Sequence, residues 1–290
     1  MSEFPTDVPG LFTSETILDV PVAVWKRILL GSDFPSRCAL EGLTFCKARK
    51  RKQHEFIVLY FRHWNVLVPA TAVMVVDRAA KTSSKKNGYS APIAHSSGII
   101  SPAALQTLAF DSVSQVITPI KDTQAEIRKC LRERYGKYKE LCNHTFSDNS
   151  ARPSATQISV LLSVISQHAP NYNLYRFQCY WFAMTIWEAT KQLYPDSEDT
   201  EAPWKGKHSR WHGIKMDSAD SVDAVCEKYA MEWKLFEKEA ERKKQAEHDR
   251  MQEMCGQVLT EKQAEIDRLQ AEVARLRSDA RSPKVTFEYH

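Results

Sequence analysis

From Ser221 to Arg281 the chain contains no proline and a single glycine, Gly256, and it is dominated by Glu, Lys, Arg, Gln and Ala. These are strong helix formers, and a run of this length without a breaker has one regular solution, a long helix. Charges of both signs alternate along it, as on a solvated helix supported by pairs three and four residues apart. Part of the run also reads as a coiled-coil seam. Leu259, Ile266 and Val273 fall at a positions and Leu269 and Leu276 at d, with Lys262 as the polar exception. Upstream the same register meets Gln245, His248, Gln252 and Cys255, which are poor seam residues. Leu259–Leu276 is therefore expected to serve a homo-oligomer or a helical protein partner, against the alternative of a single solvated helix. The aromatic start of the run, Tyr229, Trp233 and Phe236, is expected to pack on the remainder of the chain.

That remainder is apolar enough to fold, since 43% of all residues are hydrophobic. His54–Phe61 and Ala70–Val76 are rich in β-branched and aromatic residues and predict an adjacent antiparallel pair. Both are apolar at nearly every position, so both faces of the pair are expected to be covered. Ser112–Thr118 alternates apolar and polar residues and predicts a third strand. Val20–Leu30 predicts a short helix ended by Gly31, and Asp122–Tyr138 is helix-compatible. Ser154 or Thr156 can cap a helix carrying the stripe Ile158, Leu161, Leu162, Ile165, with Pro170 beyond its end. Gln178–Leu193 predicts another, closed by Pro195. Lys81–Gly98 and Asn143–Pro153 read as loops.

The expected fold class is α+β, a small antiparallel sheet packed with helices, followed by the long C-terminal helix. The expected division is a flexible lead-in over 1–20, a globular domain over 21–195 and a linker or flap over 196–220. The helix then occupies 221–281 and a tail 282–290.

Bulk charge excludes little and suggests little. Forty basic and 36 acidic side chains leave a net charge of +4, too balanced for a nucleic-acid or membrane-surface field. The opening MSEFPTDVPGLF lacks the basic and apolar regions of an export signal, and Trp64–Val76 is too short to span a bilayer as a helix. Seven scattered cysteines without CxxC spacing read as free thiols in a reducing compartment. Cytoplasm or nucleus is the expected location. Neither membrane nor nucleic acid is an expected partner.

One segment carries possible chemistry. Asn171–Glu188, NYNLYRFQCYWFAMTIWE, puts Cys179 in the first turn of a helix. A thiol there lies at the positive end of the helix dipole, which favours the thiolate. A nucleophile also needs an imidazole to take its proton and a third group to orient that imidazole. His54, at the start of the best strand, can be the base, and Asp77, at the end of the adjacent strand, the orienting carboxylate. His63 and His95 are alternatives for the third role.

The strand-initial His54 upstream of a Tyr-x-Leu-x-x-x-x-Cys-x-x-Phe pattern (Tyr172, Leu174, Cys179, Phe182) resembles the circularly permuted papain-like proteins. That group includes the lecithin:retinol acyltransferase-like and NlpC/P60-type thiol hydrolases, in which the His strand precedes the Cys helix. The chain is also similar to fungal proteins with a Gln-Cys-Tyr-Trp-Phe-Ala core, here Gln178–Ala183. The resemblance covers residues 40–195. It implies a permuted papain-like fold with Cys179 as nucleophile, His54 as base and Asp77 as the orienting residue.

Two functional readings stand side by side. The first is a Cys-His thiol hydrolase or acyltransferase acting on an amide, thioester or ester. The second is a catalytically inactive interaction or scaffold protein that assembles through its C-terminal helix, with Cys179 a small apolar core residue. Lys47–Lys52 (KARKRK) matches a short nuclear-import pattern or the solvated approach to a strand. His208 and His212 are spaced like a helical zinc pair but are flanked by Gly206 and Gly213, and Cys142 and His144 have no partners at zinc spacing. No cofactor and no metal is expected.

Overall fold

The structure is a computed structural model, and it describes residues 8–12, 17–32, 37–49, 54–63, 70–80, 106–116, 124–147, 151–173, 178–201, 210–211, 214–215 and 219–280. The architecture is mixed α+β. In chain order the elements are β1 (Val20–Pro21), α1 (Val22–Leu30), β2 (Cys38–Ala48), β3 (Glu55–His63) and β4 (Ala70–Ala80). Next come β5 (Gln106–Gln115), α2 (Gln124–Tyr135), β6 (Tyr138–Phe146), α3 (Ala155–His168), β7 (Asn171–Asn173) and α4 (Cys179–Leu193). The last are β8 (Ser197–Glu201), β9 (Arg210–Trp211), β10 (Ile214–Lys215) and α5 (Ala219–Ala280).

The main sheet runs β1-β5-β4-β3-β2-β6-β8, antiparallel at every pairing, and β7 adds to β5. The expected β3–β4 pair sits at its centre and is covered on both faces. On one face Leu40, Phe45, Ile57, Leu59, Phe61 and Val76 join the main core with α1, α3 and α4. On the other, Cys46, Phe56, Val58, Val73 and Val75 pack beneath α2 through Ile127, Leu131 and Tyr135.

Two irregularities shape the middle of the sheet. The β2–β3 register shifts between Leu40 and Gly42, so the bulge brings both Leu40 and Leu43 to the main core. A Cβ on Gly42 would lie 2.7 Å from the His144 carbonyl oxygen, so only glycine allows β6 to approach this closely. A second shift in β2–β6, between Phe45 and Cys46, puts neighbouring Leu141 and Cys142 into the same core.

Several expectations need correction. The described part of the lead-in is not loose: Val8, Leu11 and Phe12 are fully buried, and Trp25 Nε1 donates to the Gly10 carbonyl at 2.8 Å. Gly10 holds φ +83° with Leu29 against it, a conformation suited to glycine. Neither β2 nor β6 was expected as a strand. Both carry charged residues, and their bulges break the period-two pattern that would reveal them. Asn143–Phe146 belongs to β6 rather than to a loop, and α2 stops at Tyr135 because Gly136 turns with φ +72°. Ser197–Glu201, expected within a linker, pairs with β6 as an edge strand. It has no apolar residue to betray it. Ser154 is the cap of α3: its Oγ accepts from the Gln157 amide while Gln157 Oε1 accepts from the Ser154 amide.

The chain divides into two units, 1–233 and 234–290. The boundary falls inside α5 and not at its start. Val222, Val225, Cys226 and Tyr229 are buried in the main core, and Lys26 pairs with Glu232 at 3.3 Å, so the first turns of the helix belong to the first unit. In the second unit every residue from Met251 to Ser278 is exposed. Among the described residues no helix is long and apolar enough to cross a membrane.

Candidate active site

The pleat of two neighbouring strands creates the site. The β3–β4 register sets Ile57 opposite Val76, and its continuation sets Phe56 opposite Asp77. His54, two residues before Phe56, is then the diagonal neighbour of Asp77 on the same face. His54 Nε2 stands 3.4 Å from Asp77 Oδ2, a long contact that orients the ring rather than binding it tightly. The imidazole stacks on Tyr135, with centroids 5.9 Å apart and planes 20° apart, and Tyr135 stacks in turn on Phe56 at 4.0 Å. This aromatic column fixes the plane of the ring.

Asp77 is gripped from three directions. Ser112, its direct cross-strand partner on β5, donates to Oδ1 at 2.8 Å. Tyr135, the last residue of α2, donates to Oδ2 at 2.8 Å. Arg134 lies 3.9 Å from the same oxygen. Burial by itself would raise the Asp77 pKa, but the hydrogen bond and charge of His54, with the Ser112 and Tyr135 hydroxyls, outweigh it and hold the carboxyl below its ordinary value. The Tyr135 phenol is pushed up, first by burial and then by the Asp77 charge, so it remains a donor.

Cys179 comes from the other side of the sheet. It is the first residue of α4, which packs on β3 and β4, and its sulfur is near enough to His54 to raise the pKa of the imidazole. Burial alone would lower the His54 pKa. The hydrogen bond and charge of Asp77, with the Cys179 sulfur nearby, push it up to about 10 instead. An imidazolium beside the Asp77 carboxylate is therefore the stable form at neutral pH. Cys179 retains 8% exposure and the His54 side chain 23%.

The amide end of α4 is equally prepared. Gln178 occupies the N-cap without a side-chain capping bond, and the first turn holds no acidic residue. Its orphan N–H groups are thus left for negative charge placed beside them. Burial, with the nearby Cys179 charge, pushes the Tyr172 phenol on β7 up to about 12.

Beneath the first turn of α4, Arg78 anchors the geometry. The pleat that sends Asp77 to the α2 face sends Arg78 to the opposite one. There Nε and Nη2 bond the Asp111 carboxylate at 2.6 and 2.7 Å, Nη2 also donates to the Ala169 carbonyl at 2.9 Å, and the guanidinium lies 4.9 Å from the ring centroids of Trp181 and Phe182. Two adjacent residues of β4 therefore position both halves of the site.

Of the three residues singled out in sequence, His54 and Asp77 are in contact at 3.4 Å, and Cys179 lies near enough to influence the His54 pKa. His63 is not at the site: it closes the far end of β3, roughly 30 Å from His54 at the rise of a strand, where it meets Phe12 edge-on. His95, His208 and His212 lie outside the described residues. Lys47 is held by Glu55 at 2.6 Å and is 15% exposed, so it is not part of a free basic run, and Lys50–Lys52 lie outside the described residues. Among the described residues no group of three or more His, Cys, Asp or Glu could hold a metal ion. Tyr135 and Ser112 escaped sequence reasoning, because a helix-terminal tyrosine and a strand serine carry no local sign of their common target. No family model matches the chain, and no curated protein or solved structure does either.

Proposed function

We propose that the chain is a cysteine-dependent hydrolase or acyltransferase of permuted papain-like type, acting on an amide, thioester or ester. The observation that carries this reading is the His54–Asp77 contact at 3.4 Å with Cys179, at the N-terminus of α4, near enough to raise the His54 pKa. In the first step the Cys179 thiolate attacks the substrate carbonyl carbon. The oxygen becomes an oxyanion beside the amide end of α4. His54 gives its proton to the departing amine, thiol or alcohol, and an acyl-thioester remains on Cys179. In the second step His54 takes a proton from water, or from an acceptor, as that nucleophile attacks the thioester and releases the sulfur. Asp77 keeps the imidazole oriented and its positive charge compensated throughout.

The other cysteines provide the contrast. Burial and the Glu140 charge push the Cys46 thiol well up, and burial with Asp223 pushes Cys226 up to about 11. Both are poor nucleophiles. All seven cysteines are free, which suits a reducing compartment, cytoplasm or nucleus. The test is a thiol-reactive activity probe with site mapping on wild type and Cys179→Ala. Fast labelling of Cys179 at neutral pH, lost in Cys179→Ala and slowed in His54→Ala, is expected. Labelling of Cys179 no faster than of exposed Cys255 overturns the reading.

A second reading concerns assembly. Leu259, Ile266, Leu269, Val273 and Leu276 share one face of α5 and are between 46% and 70% exposed. The function of that face is association with a helix, and light scattering of the full chain against a version ending before Val258 tests it. Equal monomer masses for both overturn it.

A further inference from the structure

We propose that the occupant of this face is a second copy of the chain, its helix lying parallel and in register with the first as a two-stranded coiled coil over Cys255–Leu276. The inference rests on the assembly reading above and adds the partner, its direction and its stoichiometry.

The apolar side chains choose the number of strands. Ile266 and Val273 are β-branched and stand at a, while Leu269 and Leu276 stand at d, the combination that favours two parallel helices. Ile266, Leu269, Val273, Ala274 and the stem of Arg277 line an open groove along the helix, the form a facing row of knobs would fill. Lys262 is the one charged residue at a seam position. Its ammonium bends outward to Glu265 at 2.7 Å, so the stem can cover the seam while the charge stays in water. A third helix would enclose that charge.

The charges flanking the seam choose the direction. Glu265 and Glu272 occupy g positions, and Gln270 and Arg277 occupy e. In a parallel pair each g residue faces the e residue of the partner five positions on. Glu265 then meets the partner's Gln270 and Glu272 meets the partner's Arg277, which is an unlike pair made twice by symmetry. In an antiparallel pair g faces g, and Glu265 and Glu272 of the two chains confront each other. Like charges there oppose association.

A reporter of direction is already present. Cys255 is an exposed thiol one heptad before Lys262, at d. In the parallel, in-register pair two Cys255 residues face each other within the roughly 4–7 Å Cα separation a disulfide requires. An antiparallel pair centred on the seam holds them roughly 30 Å apart.

The experiment uses the full chain. Light scattering is expected to give twice the chain mass. Diamide, which takes the two thiol hydrogens, is expected to yield a covalent dimer that Cys255→Ser abolishes. Arg277→Glu is expected to weaken dimerisation roughly fivefold or more, since two attractive pairs become repulsive, and Glu272→Arg combined with Arg277→Glu is expected to restore it. All three substitutions lie on exposed helix surface, so the fold is not at stake. A monomer at every concentration overturns both the assembly reading and this inference. A dimer without the Cys255 cross-link, or one that the charge exchange fails to rescue, overturns the parallel arrangement alone.

Discussion

Tyr135 donates to the same Asp77 oxygen that faces His54, at 2.8 Å against 3.4 Å. The carboxylate is thus shared between a neutral donor on α2 and the imidazole at the head of β3, and the shorter bond belongs to the tyrosine. Tyr135→Phe keeps the ring stack on Phe56 and removes only that donor. Loss of a hydrogen bond to a buried carboxylate is expected to cost about 1.5–3 kcal/mol near neutral pH. Because the Asp77 pKa is lowered in the folded state, its stabilisation exists above the ordinary value of 3.8 and is lost as pH falls. The gap between wild type and Tyr135→Phe in denaturant unfolding is therefore expected to narrow on acidification; a constant gap refutes the assignment.

His54 titrates in the opposite sense. Its folded pKa is raised from 6.5 to about 10, so the stabilisation it brings is complete below pH 6.5 and is lost as pH rises through 10. Cys179→Ala removes one of the two partners that raise it. NMR titration of the His54 ring is expected to show a lower pKa in Cys179→Ala, and a lower one again in Asp77→Asn. A His54 pKa indifferent to Cys179 would separate the thiol from the imidazole. This measurement needs no substrate.

Arg78 and Asp111 form a buried ion pair with essentially no exposure, 0% and 2%. Removing one partner strands the other charge in the core, at a cost of about 3–5 kcal/mol. Arg78→Met is expected to lower the unfolding midpoint accordingly. Replacing both residues by apolar ones of similar volume is expected to recover most of the loss. The recovered double variant still lacks the guanidinium under Trp181 and Phe182, and its Cys179 labelling rate is expected to fall below wild type. Full stability of Arg78→Met alone would rule out the buried-pair account.

Gly42→Ala tests the middle of the sheet. The added Cβ would meet backbone and not a movable side chain, so β2 and β6 must separate. A loss of about 1–3 kcal/mol is expected from overpacking, read by chemical denaturation. Gly256→Ala on α5, where a Cβ meets nothing within 4 Å, is expected to stabilise the helix slightly and serves as its counterpart.

Elements with a strong local period were legible without the fold: the β3–β4 pair, α3 with its Ser154 cap, α4 and the long α5. The sequence could nominate Cys179 and His54 as candidates, because a cysteine at a helix start and a histidine at a strand start are positions a local pattern can mark. What the chain alone could not express was partnership. β8 is a strand only because β6 offers it unpaired backbone, and β2 and β6 hide behind bulges whose extra residues make sense only against Gly42 and its neighbours. Tyr135 and Ser112 converge on Asp77 through strand register and helix docking, neither of which leaves a mark near those residues. The first turns of α5 join the core, as their aromatic residues led one to expect, against α3 and α4, with Tyr229 on Tyr194 and Lys228 on Gln167. Periodicity is a property of neighbours along the chain and sets secondary structure and the seam on α5. The alignment of Cys179, His54 and Asp77 depends on long-range pairing and packing, which only the tertiary structure decides.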